Sequence, residues 1–466
     1  MNANVKRAEG MAAYDPKTAP FAPFTPLIPA FLDGGDTPRD YLERCIEAID
    51  AREAQVMAFV NLNLDSARAA ADAAGRRYKQ GRPASPIDGM PVGVKDIIET
   101  EDLPTEHGSK LFAGYQPQWD AACVFWLRRA GAVIIGKTVT TEFAARWPGP
   151  TRNPWDLERT PGGSSSGSAA GVASGMFPMG LGTQVRGSVL RPGAYCGITA
   201  IKPSFGCINL EGINPISRGV NHLGTLAASL EDAWLSLHYI SRNAGGEATH
   251  ESLPGKTEMP APEKPARLIR LETPGWKNTP DDVRALLEGL LEDLKDEGIE
   301  IIDRDSDKDV DALETMFDDI VEISDTIRDW ESRFPVLAYL DRGPELLSED
   351  VHARKEIMEN MTADDYAAAR QRASAMRDAY AGLAAKGEAK GIACITLTAS
   401  GPATPGMPTG DVSFLDPSSI IGAPALSLPL LAAEGLPLGV QMLGFHYQDA
   451  RLIAQGSWLR DFVLAR

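Results

Sequence analysis

The sequence predicts an α/β fold, with a mixed central β-sheet flanked by helices on both faces. Short apolar runs rich in β-branched residues alternate with longer amphipathic segments in the first half of the chain. Strand-like apolar runs return near the end, at residues 391–399 and 423–429. At 466 residues, 43% of them hydrophobic, the chain can bury a large core. We therefore expect the last part to rejoin the sheet that the first half begins.

The N-terminal part predicts an arm, then helices, then a first strand. Residues 1–35, rich in Pro, Ala and Phe, are expected to form an extended arm that wraps the body or a second subunit. Thr37 predicts a helix N-cap, and Pro38 after it is typical of the first turn of a helix. Residues 40–80 then have a helical, Ala-rich pattern. The run GMPVGVKD at residues 89–96 predicts a strand that enters a site.

The rest of the chain continues this alternation. Residues 120–130 are amphipathic, Gly131 ends that helix, and residues 132–135 read as a buried strand. Residues 243–265 are too polar to pack and are expected to form a surface connection. The clearest helix covers residues 279–297, with Thr279 predicted as its cap, and helical, acidic sequence continues to about residue 388.

Composition excludes several classes of partner. The net charge of −18 disfavours nucleic acid and anionic membranes. Residues 160–185 are nearly half Gly or Ser, which leaves too little apolar surface for a membrane span. No apolar stretch follows the basic residues of the N-terminus, so we expect no secretory signal. Five scattered cysteines resemble neither a disulfide framework nor a metal site and favour the reducing cytoplasm.

Two short patterns match catalytic motifs without their structural context. GAVIIGKT at residues 131–138 fits a P-loop, but a helix precedes it and its middle is an apolar strand. GSSSG at residues 163–167 fits a nucleophile elbow centred on Ser165, but no strand precedes it. The six histidines stand in no recognisable triad context. We therefore interpret both matches as structural.

The tract at residues 160–206 carries more information. It combines glycines and hydroxyls with a helical stretch and a strand, and glycines let backbone N–H groups face developing charge in acyl transfer. With its GGSSSGS and GTQVRGS segments and an upstream GVKD strand, the chain resembles the amidase signature family. The resemblance extends to four further segments, namely GKT…EF (136–143), NPWD (153–156), CGITAIKP (196–203) and IGAPALSLPL…GLPLGVQMLG (421–444).

The resemblance implies a Ser, cis-Ser, Lys triad that hydrolyses amides, or related esters and carbamates, through a covalent acyl-enzyme. The family motifs place its members at Lys95, Ser164 and Ser188. The chemistry agrees, because a serine hydroxyl needs a base and a buried lysine can be neutral. Ser164 would relay the proton between the other two residues. Asp96 need not approach the amine, because adjacent strand residues point to opposite faces.

The second Gly-Ser segment holds the other expected site residues. By analogy with the family, backbone N–H groups form an oxyanion hole, and neighbouring side chains orient the serine cluster. The expected hole consists of Val185, Arg186, Gly187 and Ser188, and the supporting residues are Thr183, Gln184 and Ser165.

This segment also departs from the family pattern. Gln184 stands where the family usually has Asp, so a neutral amide replaces a carboxylate. Arg186 replaces a Gly, and three roles are open: narrowing the pocket, pairing with an acidic substrate group, or pointing to an internal carboxylate. The family's Arg two residues after the nucleophile is Leu190 here, and Arg191 follows it, which suggests a rearranged local network.

Apolar residues near the motifs hint at an apolar or aryl substrate, although residues of these types lie in cores more often than in pockets. The candidates are Phe143, Trp147, Phe414, Leu415 and Ile420. We expect one domain over residues 36–466, with a variable helical region at about 279–388 forming part of the substrate entrance. No metal or organic cofactor is implied, and a homodimer is left open.

The sequence thus favours hydrolysis of a small or aryl amide by a cytoplasmic enzyme. The first alternative is a carbamate or ester hydrolase that uses the same triad. An amidotransferase subunit is a weaker alternative, because the surface is acidic and no RNA-binding appendage is evident. A non-catalytic binding protein and a P-loop nucleotide hydrolase are the remaining classes.

Overall fold

The computed structural model describes residues 5–18, 22–386, 391–405 and 409–466. Within them the chain forms one α/β domain around an eleven-stranded sheet, as the sequence predicts. The strands are β1 (Phe59–Leu62), β2 (Pro91–Lys95), β3 (Val133–Thr138), β4 (Met179–Gln184), β5 (Thr199–Lys202), β6 (His222–Ala227), β7 (Arg267–Arg270), β8 (Glu300–Ile302), β9 (Ile392–Leu397), β10 (Ala425–Ala433) and β11 (Leu436–Leu443).

The sheet is mixed, with the order β1-β3-β2-β4-β6-β5-β10-β11-β9-β7-β8. Strand β2 pairs in parallel with both β3 and β4, whereas the pairings from β4 through to β9 are antiparallel. Strands β9, β7 and β8 are parallel again. Because β10 pairs with β5, the C-terminal strands rejoin the sheet of the first half, as predicted.

Helices surround the sheet. They are α1 (Ile28–Asp33), α2 (Pro38–Val56), α3 (Leu64–Lys79), α4 (Ala122–Arg129), α5 (Ser166–Ala173), α6 (Leu190–Cys196), α7 (Leu230–Ala244), α8 (Asp281–Asp296), α9 (Lys308–Met316), α10 (Ile320–Arg342), α11 (Glu349–Asn360), α12 (Ala363–Leu383), α13 (Asp416–Ile421) and α14 (Asp449–Leu464). None of the helices in the described ranges is both long and apolar enough to cross a membrane.

The predicted arm is not extended throughout. In the described part, residues 25–33 form a short 3-10 helix and α1. Buried Asp232 accepts the backbone N–H groups of Phe24 and Thr25 at 2.8 and 2.9 Å, which fixes this turn on the body. Further upstream, the Tyr14 N–H donates to the Gly435 carbonyl at 3.0 Å. The arm thus packs on its own chain; the parts of this prediction at residues 1–4 and 19–21 lie outside the described residues.

Two other predicted boundaries are wrong. The helical pattern over residues 40–80 contains edge strand β1, because Met57 adopts φ 53° and the Glu53 carboxylate accepts the N–H groups of Ala58 and Phe59. Helix α8 is capped by Pro280 rather than Thr279, whose hydroxyl donates to the Gly275 carbonyl instead.

The P-loop match forms no phosphate cradle. Helix α4 precedes Gly131, and the residues after it run into β3, whose six residues are all buried. Lys137, the lysine of the motif, is fully buried, and its Nζ lies 3.5 Å from Asp96. The match is therefore part of the sheet core, in agreement with the structural interpretation.

Candidate active site

Lys95 is the last residue of β2 and is fully buried. Its Nζ hydrogen-bonds to Ser164 Oγ at 2.7 Å and to Thr183 Oγ1 at 3.0 Å. Burial lowers the pKa of Lys95 well below its ordinary value of 10.5. The environment therefore favours a neutral amine that touches a serine hydroxyl.

The neighbouring carboxylate does not oppose this shift. Asp96 lies 3.5 Å from Lys137 Nζ and accepts the Glu106 N–H at 3.2 Å. Burial raises the pKa of Asp96 to about 6, although Lys137 opposes the rise. As the strand geometry predicts, this carboxylate lies next to another lysine, and Lys95 forms no ion pair with any residue that the structure describes.

Ser164 follows a cis peptide bond, Gly163–Ser164, and its side chain is buried. The carbonyl of Gly163 accepts a hydrogen bond from Arg191 Nη2 at 2.6 Å. Arg191 is itself buried, and burial lowers the pKa of Arg191 to about 10. Arg191, one position after the place where the family pattern has its arginine, therefore binds the backbone carbonyl next to Ser164.

Ser188 lies in the turn between β4 and α6 and is partly buried. Its carbonyl accepts the Ser165 N–H at 3.3 Å, which ties the two Gly-Ser segments together. Among the hydrogen bonds of the described residues, none joins the hydroxyls of Ser164 and Ser188. The structure thus brings the segments together and forms the Lys95–Ser164 hydrogen bond, while a Ser164–Ser188 hydrogen bond is not found among the described residues.

The turn at Ser188 contains a row of backbone N–H donors. Within the described part of the chain, no acceptor is found for the N–H groups of residues 185–188. Gly187 has φ +146°, and a Cβ there would come within 2.6 Å of Leu415 Cδ1. Four consecutive N–H groups without a protein acceptor are suited to stabilise an oxyanion.

Gln184 organises this turn in place of the family's Asp. Its Oε1 accepts the N–H groups of Val189 and Leu190, both at 3.0 Å. Its Nε2 donates to Ser419 Oγ on α13 at 3.1 Å. A carboxylate could accept the same two hydrogen bonds but could not make the donation to Ser419.

Arg186 points to internal carboxylates, the third of the roles left open by the sequence. Its Nε and Nη2 donate to Asp416 at 2.8 and 2.6 Å, and its Nη1 donates to Asp325 of α10. Although burial opposes it, these carboxylates raise the pKa of Arg186 above its ordinary value. The ion pairs of Arg186 thus connect the turn to α10 and α13.

The supporting residues differ in what they contact. Thr183 touches the Lys95 amine, as described above. Ser165 precedes α5, and its buried hydroxyl has no hydrogen-bond partner among the residues that the structure describes. Such a hydroxyl is uncommon in a protein interior, and it is the second candidate nucleophile from the sequence.

The predicted pocket residues are mostly core. Phe143 stacks on Tyr339 with ring centroids 4.6 Å apart, and Phe414 packs edge-on against Trp276 at 5.7 Å. Ile420 is 1% exposed. Such burial is typical of core residues, and a part of these three side chains in a substrate pocket stays a prediction. The other two candidates are Leu415, buried against Gly187, and Trp147, which is 46% exposed.

Sequence reasoning missed three residues of this site. Asp416, Asp325 and Ser419 have no motif of their own, and they reach the turn only because α10 and α13 pack beside it. In the described ranges, no cluster of three His, Cys, Asp or Glu residues could hold a metal ion.

Comparisons with known proteins identify the family and the fold. A family model described as Amidase matches residues 40–453. The chain is 30% identical to a glutamyl-tRNA(Gln) amidotransferase subunit of Chloroflexus aggregans, over 92% of this chain and 93% of that protein. A crystal structure of an amidase superposes with a TM-score of 0.82 at 27% identity, covering 95% of this chain and all of that one. The peptide amidase of Stenotrophomonas maltophilia gives 0.78 at 25% identity, with 94% and 96% covered.

Proposed function

This chain belongs to the amidase family, and from that premise we propose that it hydrolyses the C–N bond of a small or aryl amide through an acyl-enzyme on Ser188. Lys95 is the general base and Ser164 the relay. One observation carries the proposal: a fully buried lysine amine, with no ion-pair partner in the described part of the chain, lies 2.7 Å from a serine hydroxyl. Desolvation supplies the base that a serine nucleophile needs.

The proposed reaction has two halves. Ser188 Oγ attacks the amide carbon while its proton passes through Ser164 to Lys95. Closure of the Ser188–Ser164 contact accompanies substrate binding, since catalytic hydrogen bonds are often loose without substrate. When the tetrahedral intermediate collapses, the proton returns through Ser164 to the leaving amine. Water then cleaves the acyl-enzyme by the same route and restores the Ser188 hydroxyl.

The backbone of the turn stabilises the charge that develops. The N–H groups of residues 185–188, which lack acceptors in the described protein, receive the oxyanion in both halves of the reaction. One such donor contributes about 3 kcal/mol of transition-state stabilisation in comparable enzymes. Gln184 and Arg186 keep these donors in place through α13 and α10.

Carbamates and esters can follow the same acyl-enzyme route, so a carbamate or ester hydrolase is the first alternative within this chemistry. A direct comparison of matched anilide, carbamate and ester substrates with one acyl group decides between them. The largest kcat/KM identifies the preferred bond.

An amidotransferase subunit is the second candidate function, favoured by the 30% identity to the Chloroflexus aggregans protein over 92% of this chain. That role predicts glutamine as the amide substrate and a dependence on partner proteins. The net charge of −18 disfavours tRNA as a partner. Hydrolysis of aryl amides by the isolated chain, with no preference for glutamine, would exclude this role.

We further propose a cytoplasmic location. All five cysteines are buried and free, which a reducing compartment maintains without oxidation.

The test is intact-protein mass spectrometry after reaction with a fluorophosphonate probe. We expect one adduct on the parent chain and none on Ser188→Ala. Ser165→Ala is the matched control, because it removes the other candidate nucleophile, and it should label like the parent. Labelling retained by Ser188→Ala but lost in Ser165→Ala would overturn the assignment.

A further inference from the structure

A hollow of about 780 Å³ opens between α10, α12 and the loop at residues 215–220. Small-molecule sites have volumes of about 300–1,000 Å³, so this hollow is of the right size for a ligand. Its lining does not include Lys95, Ser164 or Ser188. None of the three proposed catalytic residues therefore borders this α10–α12 hollow.

The hollow concentrates positive charge in an acidic protein. Three of its lining residues are Arg218, Arg370 and Arg377, and Glu331 is the single carboxylate residue among those that line it in the described chain. The ion pairs found among the described residues involve none of these three arginines. The chain carries a net charge of −18, yet the lining of this hollow is basic, with three arginines and one glutamate.

Glu331 forms no ion pair with the three arginines among the described residues, although its charge acts on Arg377, and neutral groups donate to its carboxylate. It accepts hydrogen bonds from Ser217 Oγ at 2.8 Å, the Gly219 N–H at 2.7 Å and the Tyr366 hydroxyl at 2.7 Å. These hydrogen bonds connect α10 to the loop at residues 215–220 and to α12. The carboxylate thus shapes the hollow and leaves the guanidinium groups available.

Arg377 is the most enclosed of the three arginines. It is partly buried, and its Nε donates to the Ile420 carbonyl at 2.8 Å. Burial and the neighbouring Arg370 lower the pKa of Arg377, and the charges of Glu331 and Asp378 oppose the fall. An anion in the hollow would offset the repulsion between the two arginines.

Aromatic side chains form another part of the lining. The rings of Trp330 and Tyr366 stack with centroids 5.5 Å apart and an interplanar angle of 15°. Phe334 also lines the hollow, and 81% of it is exposed. The Arg370 guanidinium lies 5.7 Å from the centroid of the Tyr366 ring. Aromatic rings and arginine side chains thus lie next to each other in the lining of the hollow.

From this combination we propose that the α10–α12 hollow binds a planar organic anion of the aromatic carboxylate class. The carboxylate pairs with the arginines, which recognise such groups through two parallel hydrogen bonds. The ring packs against Phe334 and Trp330. This site is independent of the proposed amide hydrolysis.

The test is calorimetric titration of the Ser188→Ala chain with 2-naphthoate, which cannot report turnover at Ser188. We expect saturable binding, and we expect the neutral 2-naphthamide to bind at least about tenfold more weakly. Arg218→Gln and Arg370→Gln should each weaken binding about tenfold, since each removes a charge-assisted contact. Phe334→Ala should weaken it as well.

Arg372→Gln is the matched control. Arg372 lies on α12 two residues after Arg370 but pairs with Asp319, and it does not line the hollow. Its removal should leave the affinity for 2-naphthoate unchanged. The proposal is overturned if 2-naphthoate does not bind saturably, if 2-naphthamide binds equally well, or if Arg372→Gln weakens binding as much as Arg370→Gln. Binding of either compound that neither Arg218→Gln nor Arg370→Gln weakens is assigned to the catalytic site, which keeps this test distinct from that of the proposed amide hydrolysis.

Discussion

Two lysines on adjacent parallel strands, Lys95 on β2 and Lys137 on β3, are equally buried but differently surrounded. Lys137 Nζ lies 3.5 Å from the Asp96 carboxylate and donates to the Ile98 carbonyl at 2.7 Å. Among the described residues, Lys95 Nζ hydrogen-bonds only to the hydroxyls of Ser164 and Thr183. The position of one carboxylate therefore distinguishes the two sites.

The pKa values of the two lysines reflect these different surroundings. Burial lowers the pKa of Lys137 to about 8, and Asp96 opposes the fall. Burial lowers the pKa of Lys95 well below 10.5 with no carboxylate to oppose it. Burial by itself thus favours a base at Lys95, whereas burial with a carboxylate favours an ion pair at Lys137.

The largest expected effect comes from Lys95→Met, which removes the proposed base. We expect the rate of fluorophosphonate labelling to fall by about 10³-fold, within the range of general-base catalysis. The thermal midpoint should not fall, because the variant removes a buried amine without leaving a charge unpaired. A labelling rate within a few fold of the parent's would refute the role of Lys95.

Lys137→Met is the counterpart and should act on stability. Asp96 would be left buried without its cation, and removing one partner of a buried ion pair costs about 3–5 kcal/mol. Urea unfolding measures this loss. The double variant Asp96→Asn, Lys137→Met should recover most of it, and a loss equal to that of the single variant would contradict the ion-pair interpretation.

A third buried lysine, Lys202, extends the comparison to the pH dependence of stability. Burial lowers the pKa of Lys202 to about 7. Between that value and 10.5 the unfolded chain binds the proton and the folded chain does not, so the free energy of unfolding decreases as pH falls. Lys202→Met should reduce this slope by about 1.4 kcal/mol per pH unit between about pH 7 and 10. Equal slopes for both chains would show that this lysine stays charged.

The smallest effect is expected from Ser419→Ala, which leaves Gln184 Nε2 without its acceptor. An unpaired buried donor costs about 1–3 kcal/mol of stability. Because the two hydrogen bonds that Gln184 accepts from the turn remain, labelling of Ser188 should slow less than about tenfold. Urea denaturation and labelling of the same samples separate the loss of stability from the loss of reactivity. A labelling rate as low as that of Lys95→Met would contradict this expectation and give Ser419 a direct part in the reaction.

Residues within continuous motifs could be predicted, and residues brought in by distant elements could not. Lys95 and Ser164 lie in local patterns that fix a strand end and a Gly-rich turn. Asp416 is 230 residues from Arg186 in sequence, and Asp325 is 139 residues from it, so no local pattern indicates either contact. Without those partners, the sequence could not choose among the three roles of Arg186.

The fold shows the same limit. Fully buried strands such as β2 and β3 are readable as apolar runs, whereas edge strand β1 has a half-buried pattern inside a helical one. The aromatic pocket residues were uncertain for a related reason. Phe414 faces Trp276, which is distant in sequence, so its place in the core depends on packing that the local sequence does not specify.

The most direct measurement is the pH dependence of the second-order rate constant for phosphonylation of Ser188, in the parent and in Lys95→Met. The lowered pKa of Lys95 predicts a parent rate that falls about tenfold per pH unit as pH drops below that pKa, because the amine becomes protonated. Above that pKa the rate should be constant, and in Lys95→Met this titration should be absent. An identical profile in both chains would contradict the central claim that a neutral, buried Lys95 activates the nucleophile.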